Sequence, residues 1–377
     1  MRLYDAEEMN AEERKRALDS LSAEDFFEGR KQIAKLRAYL REKPELHYLF
    51  FELTDKCNLR CQHCGSGCEA HNARFLDAQA VISVIRSVAA REPRAHICLT
   101  GGEPLLHPEF DRIAHALCET RLYWSVVTNA TLIDETIARK LSDCGVYSVS
   151  VSLDGGEAEH DLLRGSAGAF LLALRGVRML RRYHIPVQIT TVVTKRTLDR
   201  LDEIREIVRK ADACSWKVVN IEPIGRALDH PELLLDRGDF LRLMDDIRSL
   251  RERETACGSE LEVTYGCSHL LPLLYEETVR ESPFLCAAGL QIASVQCSGD
   301  LAGCLDIERR PELVQGNIHQ DDFWDVWDNR FAIFRADRTA DSDTCSSCRL
   351  RDACGGDSLH TWDFEQRRPR MCMMQPF

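Results

Sequence analysis

Six times between residues 47 and 254 the chain alternates a short apolar run with a helical stretch. The runs are HYLFFELT (47–54), AHICLTGGE (95–103), YWSVVTNA (123–130), VYSVSVSLDG (146–155), IPVQITTVVT (185–194) and WKVVNIEPIG (216–225). The stretches between and after them cover 77–92, 108–120, 134–145, 169–183, 198–211 and 236–254, with apolar residues at helical spacing. Near-continuous Val- and Ile-rich runs are the mark of strands buried on both faces, as in parallel sheets covered by helices. Successive right-handed strand–helix units close into a partial barrel or open into a doubly wound sheet. Both place chemistry at the carboxyl ends of the strands. The unusual residues gather there: cysteines after the first run, GGE after the second, TN after the third and SLDG after the fourth.

The flanks differ. Residues 5 to about 42 read as helix, with apolar positions at Leu18, Leu21, Phe26, Phe27, Ile33, Leu36 and Leu40, stopped by Pro44. After about 256 the rhythm stops, and short strands, turns and cysteines follow. This divides the chain into a helical segment (1–45), a strand–helix domain (46–255) and a tail (256–377). A tail with so little regular core needs another source of stability, which metal clusters supply. The formal charge of −12 argues against a nucleic-acid surface, and RRYH (181–184) and RRPR (367–370) read as solvated surface. No run of about 18 apolar residues suggests a membrane span, and no signal-peptide core opens the chain. The expected compartment is the cytoplasm. There, 17 cysteines point to metal or catalysis rather than to disulfides.

Three of them form Cys57-x3-Cys61-x2-Cys64. Three thiolates in a short loop can hold three irons of a cubane and leave the fourth open to a substrate. Zinc is the competing reading, with Cys68 as its fourth ligand. In the tail, Cys345-x2-Cys348-x5-Cys354 and the later Cys372 make a full set for a cubane or a zinc. Cys98, Cys118, Cys144, Cys214 and Cys257 stand apart and read as packing residues.

The cysteine loop after the first strand resembles that of the radical S-adenosylmethionine (radical SAM) superfamily over roughly residues 46–225. Thr100-Gly101-Gly102-Glu103-Pro104 resembles the family's GGE motif, whose backbone and carboxylate receive the methionine ammonium. Thr128 and Asn129 resemble its third-strand motif; Ser152 and Asp154 fall where the family contacts the ribose and methionine ends of the cofactor; Arg164 matches an arginine near the methionine carboxylate. The resemblance implies a partial (β/α)6 TIM-like barrel, a [4Fe–4S] cluster on Cys57, Cys61 and Cys64, and reductive cleavage of S-adenosylmethionine to a 5′-deoxyadenosyl radical that abstracts hydrogen from a substrate.

Cys286-x12-Gly299-x4-Cys304, followed by the 345–354 run, resembles the SPASM extension of peptide-modifying radical enzymes, a small cysteine-rich α+β domain. By that analogy Cys345, Cys348, Cys354 and Cys372 hold one auxiliary cluster and Cys267, Cys286 and Cys304 another, three clusters in all. The pattern departs at Cys354-Gly-Gly-Asp357-Ser358, where the family has a further cysteine; Cys297 and Asp357 are the candidates to fill the gap. The resemblance implies a ribosomally made precursor peptide as substrate, a flavodoxin- or ferredoxin-type electron donor, and a separate leader-binding protein. A small-molecule substrate is the alternative. Sulfatase activation is disfavoured, because Leu305 rather than an aspartate follows Cys304. A non-catalytic iron–sulfur carrier is a third reading, against which the GGE motif stands: a carrier has no use for an amine-binding carboxylate.

Overall fold

The computed structural model describes residues 23–68, 73–266, 269–271, 273–281 and 283–373. Cys267 and the first part of the expected N-terminal helix lie outside the described residues. The helix that is described, α1 (Ala23–Glu42), ends before Pro44.

All six strand–helix units form. They run β1 (Tyr48–Glu52), α2 (Ala78–Arg91), β2 (His96–Thr100), α3 (Phe110–Thr120), β3 (Tyr123–Thr128), α4 (Glu135–Asp143), β4 (Ser148–Ser152), α5 (Glu157–Arg164), α6 (Ala169–Arg182), β5 (Val187–Val193), α7 (Leu201–Lys210), β6 (Ser215–Asn220) and α8 (Arg237–Ala256). Helix starts follow local chemistry. The side chains of Asp77, Asp134 and Asp236 accept the backbone N–H of Ala80, Ile137 and Asp239 and cap α2, α4 and α8, each cap contributing about 1 kcal/mol.

The strands β1 to β6 lie side by side in sequence order, each parallel to the next. The fold is the expected α/β partial barrel, and its sheet extends past the six units at both edges. Strand β7 (Glu262–Tyr265) joins β6 in parallel; then, after α9 (Leu273–Val279), β8 (Ile292–Val295) pairs with β1 in parallel. Strands β9 (Asp300–Ala302) and β10 (Gly316–Asn317) continue that edge antiparallel. The tail is thereby built onto the barrel at β1, the strand that leads into the first cysteines. Short helices α10 (Phe323–Asn329), α11 (Ala332–Arg335) and α12 (Arg351–Cys354) and the pair β11 (Trp362–Asp363) and β12 (Arg368–Pro369) complete the tail.

Burial is continuous over Ile97–Leu99 on β2 and Trp124–Val126 on β3, but it alternates along β4, β5 and β6. Val149 and Val151 on β4, Val187, Ile189 and Val193 on β5, and Trp216 and Val218 on β6 are fully buried in one large apolar cluster. The residues between them, Ser150, Ser152, Gln188, Thr190 and Lys217, are polar and only half-buried. These three strands are therefore not dry on both faces. The polar face is the inner one of a curved sheet: Lys217 on β6 lies within electrostatic reach of Cys98 on β2. Among the isolated cysteines, Cys98 is buried as expected and Cys144 is half-buried, but Cys118, Cys214 and Cys257 are exposed, the last two beside the arginines Arg181 and Arg209. No described cysteine is in a disulfide.

Candidate metal and cofactor site

The segment after β1 turns across the carboxyl ends of the strands and is held by three other loops. The first is the GGE turn after β2. Gly102 N donates to Thr54 O at 2.7 Å and Glu103 N to Lys56 O at 2.8 Å. A Cβ on Gly102 would sit 2.1 Å from Lys56 O, and one on Gly101, where φ is +151°, would sit 2.6 Å from Thr54 O. Both glycines are needed because two backbones touch there. The second loop is the end of α5, where Arg60 N and Gln62 N donate to Arg164 O and Leu163 O at 3.1 and 2.8 Å. The third follows β6: Arg226 donates through Nε to Cys61 O at 2.8 Å and through Nη1 to Cys68 O at 2.7 Å, while its N–H reaches Cys64 O at 3.0 Å. Arg226 belongs to no motif; the glycine that ends the sixth apolar run is the local signal for its turn. Gly225 adopts φ +55° against the Cys64 carbonyl.

Cys57, Cys61 and Cys68 are buried, and Cys64 packs against them. Burial pushes the Cys57 thiol up to about 11 and raises Cys61 as well, against the pull of Arg164. The donors around them suit metal-bound thiolates. Leu59 N points at Cys57 Sγ at 3.5 Å, and Arg164 Nη1 at Cys61 Sγ at 3.6 Å. Cys64 and Cys68 share a hydrogen bond that lowers the first thiol and raises the second. Gln62 Oε1 and His63 Nδ1, in the same loop, are buried with no hydrogen-bond partner among the described residues. The donor set fits an iron–sulfur cluster on Cys57, Cys61 and Cys64. Cys68 lies beside it, so the fourth thiol that the zinc reading requires is also near.

Glu103 is fully buried. Its carboxylate accepts Thr128 Oγ1 at 2.8 and 2.9 Å, Asn129 N at 2.9 Å and Leu105 N at 3.2 Å. Desolvation nevertheless pushes it up to about 7. An ammonium arriving at this carboxylate would restore the charge that burial penalises. The other third-strand residue, Asn129, donates to Asn58 Oδ1 at 2.9 Å and so bridges the GGE and cysteine loops.

Asp154 and Arg164 meet each other. Arg164 Nε lies 2.7 Å from Asp154 Oδ2, and His63 Nε2 lies 3.6 Å from the same oxygen. The pair is held by charge rather than by an aligned hydrogen bond. Burial alone would raise Asp154; Arg164, then His63 and His160, bring it down to about 2. Asp154 therefore holds the arginine that faces Cys61. Ser152, at the end of β4, is half-buried on the polar face.

In the tail, Cys286 Sγ accepts Leu359 N at 3.4 Å, and Cys304 Sγ lies 3.6 Å from His360 Nε2, with Asp306 close enough to share a metal ion. His360 was not anticipated; it stands two residues past Ser358, where the family pattern calls for cysteine. The two expected substitutes, Asp357 and Cys297, have other partners. Asp357 is bound by Leu270 N, Ser358 N and His269 Nδ1 at 2.6, 2.8 and 3.3 Å. Cys297 neighbours Glu52, Asp55 and Arg74 at the end of β1. Cys348 N donates to Cys345 O at 3.1 Å in a tight turn, and Cys354 lies within electrostatic reach of Cys372.

The family model for the radical SAM superfamily matches residues 51–211, and that for an iron–sulfur cluster-binding domain, SPASM, matches residues 286–349. The chain is a radical SAM enzyme with a SPASM domain. It is 28% identical over 348 residues to an AdoMet-dependent heme synthase of Methanosarcina barkeri, covering 86% of this chain and 96% of that one. It is 28% identical over 313 residues to the mycofactocin maturase MftC of Mycobacterium tuberculosis, covering 82% and 77%. Streptococcus suis SuiB bound to S-adenosylmethionine shares the fold at a TM-score of 0.67 and 19% identity, over 87% of this chain and 76% of that one. The two domains imply iron–sulfur clusters and S-adenosylmethionine as cofactors. No described helix is long and apolar enough to cross a membrane.

Proposed function

We propose that this radical SAM enzyme modifies a ribosomally synthesised peptide by hydrogen abstraction at the mouth of the barrel, and that three [4Fe–4S] clusters, about twelve irons, serve it. The observation that carries the radical chemistry is the contact between the GGE and cysteine loops: a buried carboxylate, Glu103, is tied by backbone hydrogen bonds to the segment that bears three buried or half-buried thiols. When bound, the cluster supplies the electron that breaks the sulfur–C5′ bond of the cofactor. The protein's part is to hold the methionine amine at Glu103, to keep Arg164 on Cys61, and to seat the substrate over the polar inner face of the sheet.

The peptide reading is supported by the likeness to a mycofactocin maturase and by folds such as SuiB bound to the precursor peptide SuiA. A second reading, an iron porphyrin as substrate, is favoured by the heme synthase whose length the match covers to 96%. Anaerobic turnover decides between them. The reduced holoenzyme with S-adenosylmethionine is given either the peptide encoded beside its gene, leader included, or an iron coproporphyrin. A mass change in the peptide coupled to 5′-deoxyadenosine is the expected result. Coupled turnover of the porphyrin, with the peptide unchanged, would replace the peptide reading with the second one.

Glu103 offers a separate test of cofactor binding. Its carboxyl, raised to about 7, is protonated below that pH and charged above it. Affinity for S-adenosylmethionine is expected to climb between pH 6 and 7.5 in the wild type and to stay flat in Glu103→Gln. At pH 7.5 the variant loses a charge-assisted contact of about 1.5–3 kcal/mol, roughly tenfold to a hundredfold in Kd. Equal constants for the two proteins across this range would show that the carboxylate does not meet the ammonium.

A further inference from the structure

Helix α1 lies against the tail and carries arginines into it. Arg37 donates through Nη1 to Asp352 O and through Nη2 to Ala353 O, both at 3.1 Å, at the end of α12. Arg30 donates through Nη2 to Phe284 O at 2.5 Å. Arg30, Arg37, Arg41 and Arg338 line one cavity of about 360 Å³, counting its open mouth, together with Cys286, Cys354 and a single carboxylate, Asp357. Arg30 is 0% exposed, and among the described residues its Nε and Nη1 have no hydrogen-bond partner; the Nε of Arg338 has none there either.

The nearby carboxylates are already engaged. Glu276 is held by both oxygens to Arg280 at 2.9 and 2.8 Å and also accepts Leu271 N and Phe284 N. Asp357 is bound by two backbone N–H groups and faces His269. Asp337 is paired with Arg351 and reaches Arg41 only at 4.0 Å. Glu276 and Asp357 lie within electrostatic reach of Arg30 yet give it no hydrogen bond, and a buried guanidinium with no bonded anion is costly, so the cavity calls for a further negative charge. The thiol that faces both Arg30 and Arg37 electrostatically is Cys354. Full burial of Arg30 beneath its own helix makes the occupant a resident group rather than a substrate that comes and goes.

We propose that Arg30, Arg37 and Arg338 form the cationic wall of the auxiliary iron–sulfur cluster bound through Cys354, and that they raise its reduction potential. The inference rests on the cluster-bearing reading of the SPASM tail. A cluster with thiolate ligands is anionic and gains one more negative charge on reduction. Cations at its side in a low-dielectric interior stabilise the reduced form more than the oxidised one. The N-terminal helix thus becomes part of the electron path, since its arginines decide how readily the auxiliary cluster takes an electron.

The test is an anaerobic potentiometric titration of the full-length reconstituted enzyme, followed by electron paramagnetic resonance, with iron counted in each sample. Arg30→Met is expected to keep its iron and to lower the midpoint of one auxiliary cluster by a tenfold shift in its reduction equilibrium, about 59 mV for one electron. The cluster at Cys57, Cys61 and Cys64 should hold its midpoint. Arg30→Lys, which keeps the charge, should restore most of the shift. Iron lost from Arg30→Met but retained by Arg30→Lys would support the same role, with the charge then needed to hold the cluster at all. Unchanged midpoints in Arg30→Met with iron intact would overturn the proposal. So would equal iron loss from both variants, which would make Arg30 a helix clamp. Failure of the cluster reading itself is read separately, as a wild type with only about four irons.

Discussion

Replacing Cys57, Cys61 or Cys64 with alanine is expected to abolish 5′-deoxyadenosine formation and to remove about four irons from the reconstituted protein. Each thiol belongs to one short loop pinned on three sides, by Gly102 and Glu103, by the Arg164 and Leu163 carbonyls, and by Arg226. The loop backbone does not depend on the sulfurs, so the alanine variants should fold and fail only in metal and chemistry. Cys68→Ala separates iron from zinc. It sits beside Cys64 and would complete a four-thiolate zinc site, but a cubane with an open iron has no need of it. Retained cleavage in Cys68→Ala, with none in the other three, is the expected pattern. Wild-type cleavage rates in all three alanine variants would remove the loop from the mechanism, and zinc lost from Cys68→Ala would revive the competing reading.

The second large effect is expected at Asp154, whose side chain is fully buried against Arg164. Asp154→Asn leaves a buried guanidinium without its anion, a loss of about 3–5 kcal/mol for pairs of this kind. The double change Asp154→Leu with Arg164→Met should recover much of that stability while losing the donor to Cys61 Sγ. The pH dependence has a definite sign. The carboxyl is held down at about 2, so its contribution is fully present above the unfolded value of about 3.9 and fades as pH falls toward 2. Wild type and Asp154→Asn should therefore differ most near neutral pH and converge in acid. Urea unfolding followed anaerobically at pH 7 measures the gap; a difference within about 0.5 kcal/mol would show that the pair carries no weight.

Asp154 and Arg164 form a pairing that their motifs do not spell out. The family resemblance sets them against the cofactor. The structure adds that they engage each other, ten positions apart in the chain. Nothing in SLDG or HDLLRGS announces an ion pair, because the pairing depends on how α5 folds back over the strand ends. Glu103 is the opposite case. Its place in a glycine turn after β2 is legible locally, and the structure adds only its burial and its donors.

What the sequence determined by itself is what short-range chemistry can encode. Strand and helix alternation follows from apolar periodicity, helix starts from Asp77, Asp134 and Asp236, and the first metal loop from the spacing of Cys57, Cys61 and Cys64. These patterns span a few residues, so the order of residues alone specifies them. Tertiary structure decided the rest. It placed β8 beside β1, although about 240 residues separate the paired positions Tyr48 and Ile292. It carried Arg37 to the carbonyls of Asp352 and Ala353, more than 300 residues away in the chain. It put Cys297 beside Glu52 and Asp55, and it brought Gly102 N to Thr54 O and Glu103 N to Lys56 O. Such contacts have no local signature. They exist because a sheet edge, a buried charge or a close backbone approach must find its complement wherever the fold supplies one.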